Sequence, residues 1–179
     1  VTSGAVGIGV GRAGLTTRPK DIPTKQACAA IGQCELMHTY DNMFEKYSIT
    51  VAQILLTKMI INNPNHCENF RNTVETLVKM GVIPIINEND TIAIDELELE
   101  IGENDSLSAL VASLADADLL LILSDIDGLY NDDPRTNPDA QPISVVEEIT
   151  PDIEKVAGGA GSQLGTGGMS TKINAAKIA

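Results

Sequence analysis

Short aliphatic runs alternate along this chain with longer stretches of helical periodicity, and that alternation leaves little choice of fold class. Ile49 to Leu56, Val82 to Ile86 and Leu119 to Leu123 are too short for stable helices and predominantly apolar, so they read as buried strands. Val1-Thr-Ser-Gly4 has the look of a strand's last residues turning into a helix over Ala5 to Leu15. From Thr24 to Tyr47, apolar residues recur at Ala27, Ala30, Cys34, Met37, Tyr40, Phe44 and Tyr47, the spacing of a long amphipathic helix. Cys67 to Met80 repeats the period at Phe70, Val74 and Leu77, and Gly81 stands where a helix C-terminal glycine belongs. Asn104 can cap a helix over Asp105 to Ala117, with Leu107, Leu110, Val111 and Leu114 on its apolar face. Strand, helix, strand, helix predicts an α/β domain on a mainly parallel sheet.

At 179 residues the chain suits one domain, 1–179, with room for a sizeable core. Aromatic residues are only 3% and tryptophan is absent, so that core is aliphatic. A formal net charge of −13 argues against nucleic acid or an anionic membrane as partner. No apolar run is long enough to cross a bilayer and no signal peptide is recognisable, which makes the cytoplasm the expected location. Cys28, Cys34 and Cys67 lack CxxC spacing, so neither a disulfide framework nor a zinc site is indicated. The chain opens on Val1 and stops inside a helical pattern at Ala179, and we read it as a fragment with both ends cut.

In a parallel sheet, ligands bind at the carboxyl ends of the strands. Polar clusters follow the proposed strands there: Ser3-Gly4, Asn87 to Asp90, and Ser124-Asp125. Gly165-Thr-Gly-Gly-Met-Ser-Thr-Lys172 opens a further helical run, Ile173 to Ala179. Glycines at a helix entrance let backbone N–H groups approach an anion, and a lysine in the first turn adds a mobile charge suited to phosphate. The stretch is not a Walker A loop, which needs Gly-Lys-Ser/Thr at the end of a longer glycine frame. Gly9-Val-Gly11-Arg-Ala-Gly14 matches G-x-G-x-x-G formally, but its glycines come too late after the strand, and we read them as close helix packing. His38 falls on or near a polar helix face and reads as a surface residue. Thr91 to Ile101 alternates weakly and could form a hairpin. Asp133-Pro and Asn137-Pro mark a loop, and Thr150-Pro151 a helix cap followed by proline.

Six blocks together give the chain a resemblance. They are Val1-Thr-Ser-Gly-Ala5, Gln53-Ile-Leu-Leu-Thr57, Val82-Ile-Pro-Ile-Ile-Asn-Glu-Asn-Asp90, Gly102-Glu-Asn-Asp-Ser-Leu-Ser-Ala109, Leu123-Ser-Asp-Ile-Asp-Gly-Leu-Tyr130 and Gly165 to Lys172. In that order the sequence resembles the amino-acid kinase family, in the branch that phosphorylates the side-chain carboxylate of glutamate at the start of proline synthesis. The resemblance implies a three-layer αβα sandwich in which ATP and glutamate meet along the strands' carboxyl edge. It implies that Ser3, Asp90 and Asn104 hold glutamate, that Ser124 and Asp125 line the nucleotide site, and that Gly167, Gly168 and Lys172 grip the phosphates. Asp105 would orient the catalytic lysines, Lys172 among them, and Mg²⁺ would bridge the phosphates of ATP with no metal ligand assigned on the protein. A homo-oligomer and proline as a feedback ligand are further expectations.

The chemistry suits these residue types. An anionic carboxylate must reach an anionic γ-phosphate, so the task is positioning and charge neutralisation, with no general base required. Asp90 can accept from a substrate ammonium, and Ser3 can donate to a carboxylate. Relatives begin with a strand carrying Lys-x-Gly-Thr-Ser, which this sequence does not contain, so the 179 residues alone are expected to be inactive. Other acceptors (acetylglutamate, aspartate, a nucleoside monophosphate) and a non-catalytic amino-acid sensor remain as alternatives, with a Rossmann dehydrogenase disfavoured by the glycine spacing.

Overall fold

The structure is a computed structural model that describes residues 1–57, 63–92, 104–158 and 168–179. They divide into two compact units, Val1–Leu99 and Glu100–Ala179.

In the first unit, Thr2 N–H donates to the Ile86 carbonyl at 2.9 Å, so the opening residues lie against a strand, though they form no ladder of their own. Gly4, at φ +94°, turns the chain into α1 (Ala5–Arg12), a left-handed conformation that glycine adopts without steric cost. Helix α2 runs Ile22–Glu45 and starts earlier than its apolar period suggests. Asp21 caps it by accepting from Thr24 N–H at 2.9 Å, and Pro23 occupies the first turn, where a missing N–H costs nothing. The buried face of α2 is also rotated from expectation. Cys28, Ala29, Gly32 and Leu36 are buried, whereas Ala27, Ala30, Cys34 and Tyr47 are exposed. The reason lies in α1. A Cβ on Gly32 would stand 1.7 Å from the Ala5 carbonyl oxygen, and one on Gly9 would stand 1.8 Å from that of Cys28. Small residues therefore set this contact, and bulky ones are turned away from it. The packing role read into the glycines holds for Gly9 alone. Gly11 meets nothing within 4 Å, and Gly14 serves a left-handed turn at φ +69°.

Strands β1 (Val51–Leu56) and β2 (Ile83–Glu88) pair in parallel, from Val51 opposite Ile83 to Leu56 opposite Glu88. Helix α3 (Pro64–Lys79) connects them, with Asn63 accepting from Asn65 N–H at its start and Gly81 at φ +72° just after its end. Phe70 of α3, Leu56 and the Ile85-Ile86 pair are buried in the aliphatic core. Strand β2 runs two residues into the polar cluster, so Asn87 and Glu88 are strand residues and Asn89-Asp90 follow its carboxyl end.

The second unit holds α4 (Asn104–Leu114), a two-residue antiparallel hairpin of β3 (Leu129–Tyr130) and β4 (Pro142–Ile143), α5 (Pro151–Ala157) and α6 (Met169–Ile178). Thr150 caps α5 through Ile153 N–H, with Pro151 next, as its sequence predicts. Helix α6 begins at Met169, four residues ahead of its alanine-rich run. One expectation fails outright. Leu119 to Leu123 is no strand, and Leu119, Leu121 and Leu123 are exposed. An apolar run becomes a strand only where a neighbour takes its backbone hydrogen bonds, and no ladder partner exists for it among the described residues. The α/β class and the parallel sheet stand as expected; the hairpin proposed over Thr91 to Ile101 lies almost entirely outside the described residues.

Candidate active site

Lys172 lies in the first turns of α6 and Asp105 in the first turn of α4, and the packing of these two helices joins them. Lys172 Nζ donates to Asp105 Oδ2 at 3.0 Å, with each side chain 20% exposed. The Thr171 hydroxyl sits 2.7 Å from the same carboxylate oxygen and 2.7 Å from the Gly168 carbonyl, so its single proton serves one or the other. Asp105 thus gathers a cation and a hydroxyl from consecutive residues and fixes the lysine's direction. Partial enclosure leaves the pair less screened than a surface ion pair. Gly168 caps α6 with extended backbone and offers no side chain, so the N–H groups of the first turn are not answered by a side-chain cap.

Beside this pair lies a cleft of about 520 Å³, a size suited to a small-molecule ligand. Ser124, Asp125, Gly168 and Lys172, four of the residues proposed for nucleotide binding, line it together. Gly167, the fifth, lies outside the described residues. Tyr130, Arg135 and Lys155, to which the sequence assigned no role, are among the other residues that line it. Arg135 Nη2 is 3.5 Å from Asp125 Oδ2, and both are exposed. Lys155 reaches the cleft from α5, which packs on α6. Tyr130 O–H donates to Asp127 at 2.8 Å, and that bond to a carboxylate raises the phenol's pKa above its usual value. Asp132, also lining the cleft, has its pKa lowered by Asn137 Nδ2 at 2.8 Å and by Asp133 N–H. Arg135 and Lys155 carry no local spacing signal, since a turn and a separate helix bring them in.

The residues proposed for the acceptor are divided between the units. Ser3 is exposed at the Gly4 turn into α1. Asp90 is partly buried beyond β2 and lines a second cleft, of about 480 Å³, wholly within the first unit. Asn104 opens α4, next to Asp105, in the second unit. His38 is exposed and bonded to Asn42 on α2, as a surface residue should be. Among the described residues, no helix is long and apolar enough to cross a membrane.

A helix-entrance lysine held by an acid on a neighbouring helix, beside a cleft of small-molecule size, is an arrangement that can take an anionic ligand. The Amino acid kinase family profile matches residues 1–179, and the chain belongs to that family. It is 55% identical over 181 residues to "Glutamate 5-kinase" of Clostridium perfringens (strain 13 / Type A), covering 100% of this chain and 67% of that protein. It is 56% identical over 180 residues to "Glutamate 5-kinase" of Clostridium tetani (strain Massachusetts / E88), covering 100% of this chain and 66% of that protein. Against "Glutamate 5-kinase" of Caldanaerobacter subterraneus subsp. tengcongensis it is 54% identical over 178 residues, 99% of this chain and 47% of that relative. The chain thus spans about half to two thirds of these relatives' length.

Proposed function

We propose that the complete protein transfers the γ-phosphoryl group of MgATP to the side-chain carboxylate of glutamate, yielding an acyl phosphate and ADP, and that residues 1–179 belong to a single amino acid kinase domain. The observation that carries this reading is the identity of 54–56% to proteins named Glutamate 5-kinase over essentially the whole chain. A carboxylate oxygen of glutamate forms the new O–P bond while the bond from γ-phosphorus to the ADP oxygen breaks. Negative charge passes from the carboxylate to ADP and no proton moves, which is why no general base is assigned.

In this reading Lys172 meets the transferring phosphoryl, and Asp105 and Thr171 orient it. Gly167 and Gly168 let the backbone approach the phosphates at the entrance of α6. Ser124 and Asp125 face the nucleotide, and Mg²⁺ enters with ATP as part of the substrate. Ser3, Asp90 and Asn104 hold glutamate, with Asp90 accepting from its ammonium. A cytoplasmic homo-oligomer feeding proline synthesis, with proline as feedback ligand, completes the proposal.

The test is ADP release by the complete protein with Mg²⁺ and glutamate, set against acetylglutamate, aspartate and uridine monophosphate. Hydroxylamine present in the assay should trap glutamyl hydroxamate. A preference for any other acceptor, or no phosphoryl transfer to any, overturns the reading.

A further inference from the structure

Cleft-facing polarity in the first unit is fixed by a chain of three hydrogen-bonding groups. The Glu88 backbone N–H donates to Asn87 Oδ1 at 2.9 Å. A backbone N–H can only donate, so Asn87 must present its oxygen there and its Nδ2 on the other side. Asn87, only 2% exposed, uses that nitrogen to donate to Gln33 Oε1 at 3.1 Å. Gln33 is in turn committed to showing its oxygen to Asn87, since the flipped amide would set two N–H₂ groups against each other. Its Nε2 is then the end left over. That nitrogen is buried, with under 1 Å² of exposed surface, and has no hydrogen-bond partner among the described residues.

Buried donors are nearly always satisfied in native proteins, so an orphan asks for an explanation. Gln33 lines the cleft of about 480 Å³ that Asp90 and Glu88 also line. The cleft therefore combines two carboxyl side chains with one neutral donor whose polarity is dictated from the backbone. Such a set suits a ligand that carries a cation and an acceptor oxygen close together, which describes the ammonium and α-carboxylate of an amino acid. A neutral donor recognises the carboxylate without neutralising the acids that attract the ammonium. The torsion at the end of a glutamine side chain is broad, so a turn small enough to keep Oε1 on Asn87 would bring Nε2 toward the cleft that the residue already lines.

We propose that Gln33 is a specificity-determining residue that donates from Nε2 to the α-carboxylate of the amino-acid substrate, leaving the side-chain carboxylate for reaction. This rests on the proposed function for the identity of the amino acid.

The experiment measures binding of L-glutamate and of its α-carboxamide to the complete protein by calorimetry, for wild type, Gln33→Glu and Gln33→Met. Wild type should prefer glutamate at least about tenfold, the scale of a charge-assisted hydrogen bond. Gln33→Glu should erase or invert that preference, because a carboxylate repels the α-carboxylate and accepts from the α-amide. Gln33→Met should reduce the preference without inverting it. Unchanged MgATP binding reports that each variant retains its fold. An equal loss on both ligands, a preference that survives both substitutions, or a wild type with no preference overturns the proposal. If the expected pattern appears in a protein that makes no acyl phosphate, the proposed function fails and the role of Gln33 stands. If wild type binds neither ligand, both fail.

Discussion

Lys172 and Asp105, 67 residues apart in sequence, meet at 3.0 Å where the entrances of α6 and α4 pack together. A cation held in this way is oriented before any ligand arrives, and its contribution should grow as charge develops on a transferring phosphoryl. Lys172→Met in the complete protein should therefore lower kcat by about a hundredfold or more while the KM for ATP changes modestly. Steady-state kinetics decide it: an unchanged kcat with a weakened KM would reduce Lys172 to a binding residue. Thr171→Val removes the hydroxyl whose proton serves Asp105 or the Gly168 carbonyl and should cost about 1 kcal/mol of stability, a shift of roughly 2–4 °C in Tm. Thr171→Ser, which keeps the hydroxyl, should restore most of that loss.

Asp90 gives the matching test on the acceptor. If it accepts from the glutamate ammonium, Asp90→Asn should raise the KM for glutamate about tenfold or more, because a charge-assisted hydrogen bond is lost. The KM for ATP should hardly move. Equal effects on both substrates would make Asp90 a structural residue and sink the assignment.

The contact between α1 and α2 predicts opposite outcomes for two glycines on one helix. Gly9→Ala places a methyl 1.8 Å from the Cys28 carbonyl oxygen, which forces the backbones apart. Overpacking of this kind costs about 1–3 kcal/mol or more. Gly11→Ala meets nothing within 4 Å and carries no left-handed φ, so it should stabilise the protein by roughly 0.4–1 kcal/mol through the unfolded chain. Denaturant melts of the two variants check both signs, and a Gly9→Ala protein as stable as wild type would refute the packing argument.

Tyr130 should titrate above its usual range, because ionising it breaks the hydrogen bond to Asp127 and sets two anions side by side. The folded-state pKa is the raised one. The stabilisation this bond provides is therefore fully present below the unfolded-state value near 10 and is lost as pH rises through the folded-state value. Ultraviolet titration of wild type against Tyr130→Phe isolates this phenol among the three tyrosines. Asp127→Asn should bring its midpoint back down toward the ordinary value. A midpoint that Asp127→Asn leaves in place would show that the hydrogen bond is not its cause.

Local chemistry made part of this molecule legible in its sequence. Thr150-Pro151 and Gly81 announce helix ends because caps and left-handed turns depend on one or two residues. The strands Val51–Leu56 and Ile83–Glu88 were legible because short, mostly aliphatic runs suit a parallel sheet. The same signal failed for Leu119 to Leu123, where apolar content says nothing about whether a neighbour is present to pair. The buried face of α2 was misjudged for a different reason. Counting large side chains favours Tyr40 and Phe44, but the contact itself is chosen by Cys28, Ala29 and Gly32, whose virtue is smallness. Of the candidate site, Lys172 at a helix entrance was readable from its glycines. Its pairing with Asp105 was implied only by family resemblance, because residues 67 apart in sequence carry no spacing signal. Thr171 stood in the quoted glycine-rich stretch without a role of its own, and Arg135 and Lys155 had no such guide.

Gly32 touches Ala5 at a distance no side chain would permit, and each of them has a neighbour of consequence. Ala5 follows the Gly4 turn beyond Ser3, and Gly32 immediately precedes Gln33. The two helices therefore work like the jaws of a gauge, set by backbone against backbone with no compressible side chain between them. Thickening either jaw by one methyl would alter the calibration between the serine at one tip and the glutamine at the other. Gly32→Ala, remote from any reacting atom, would then be read out as a change in which amino acid fits.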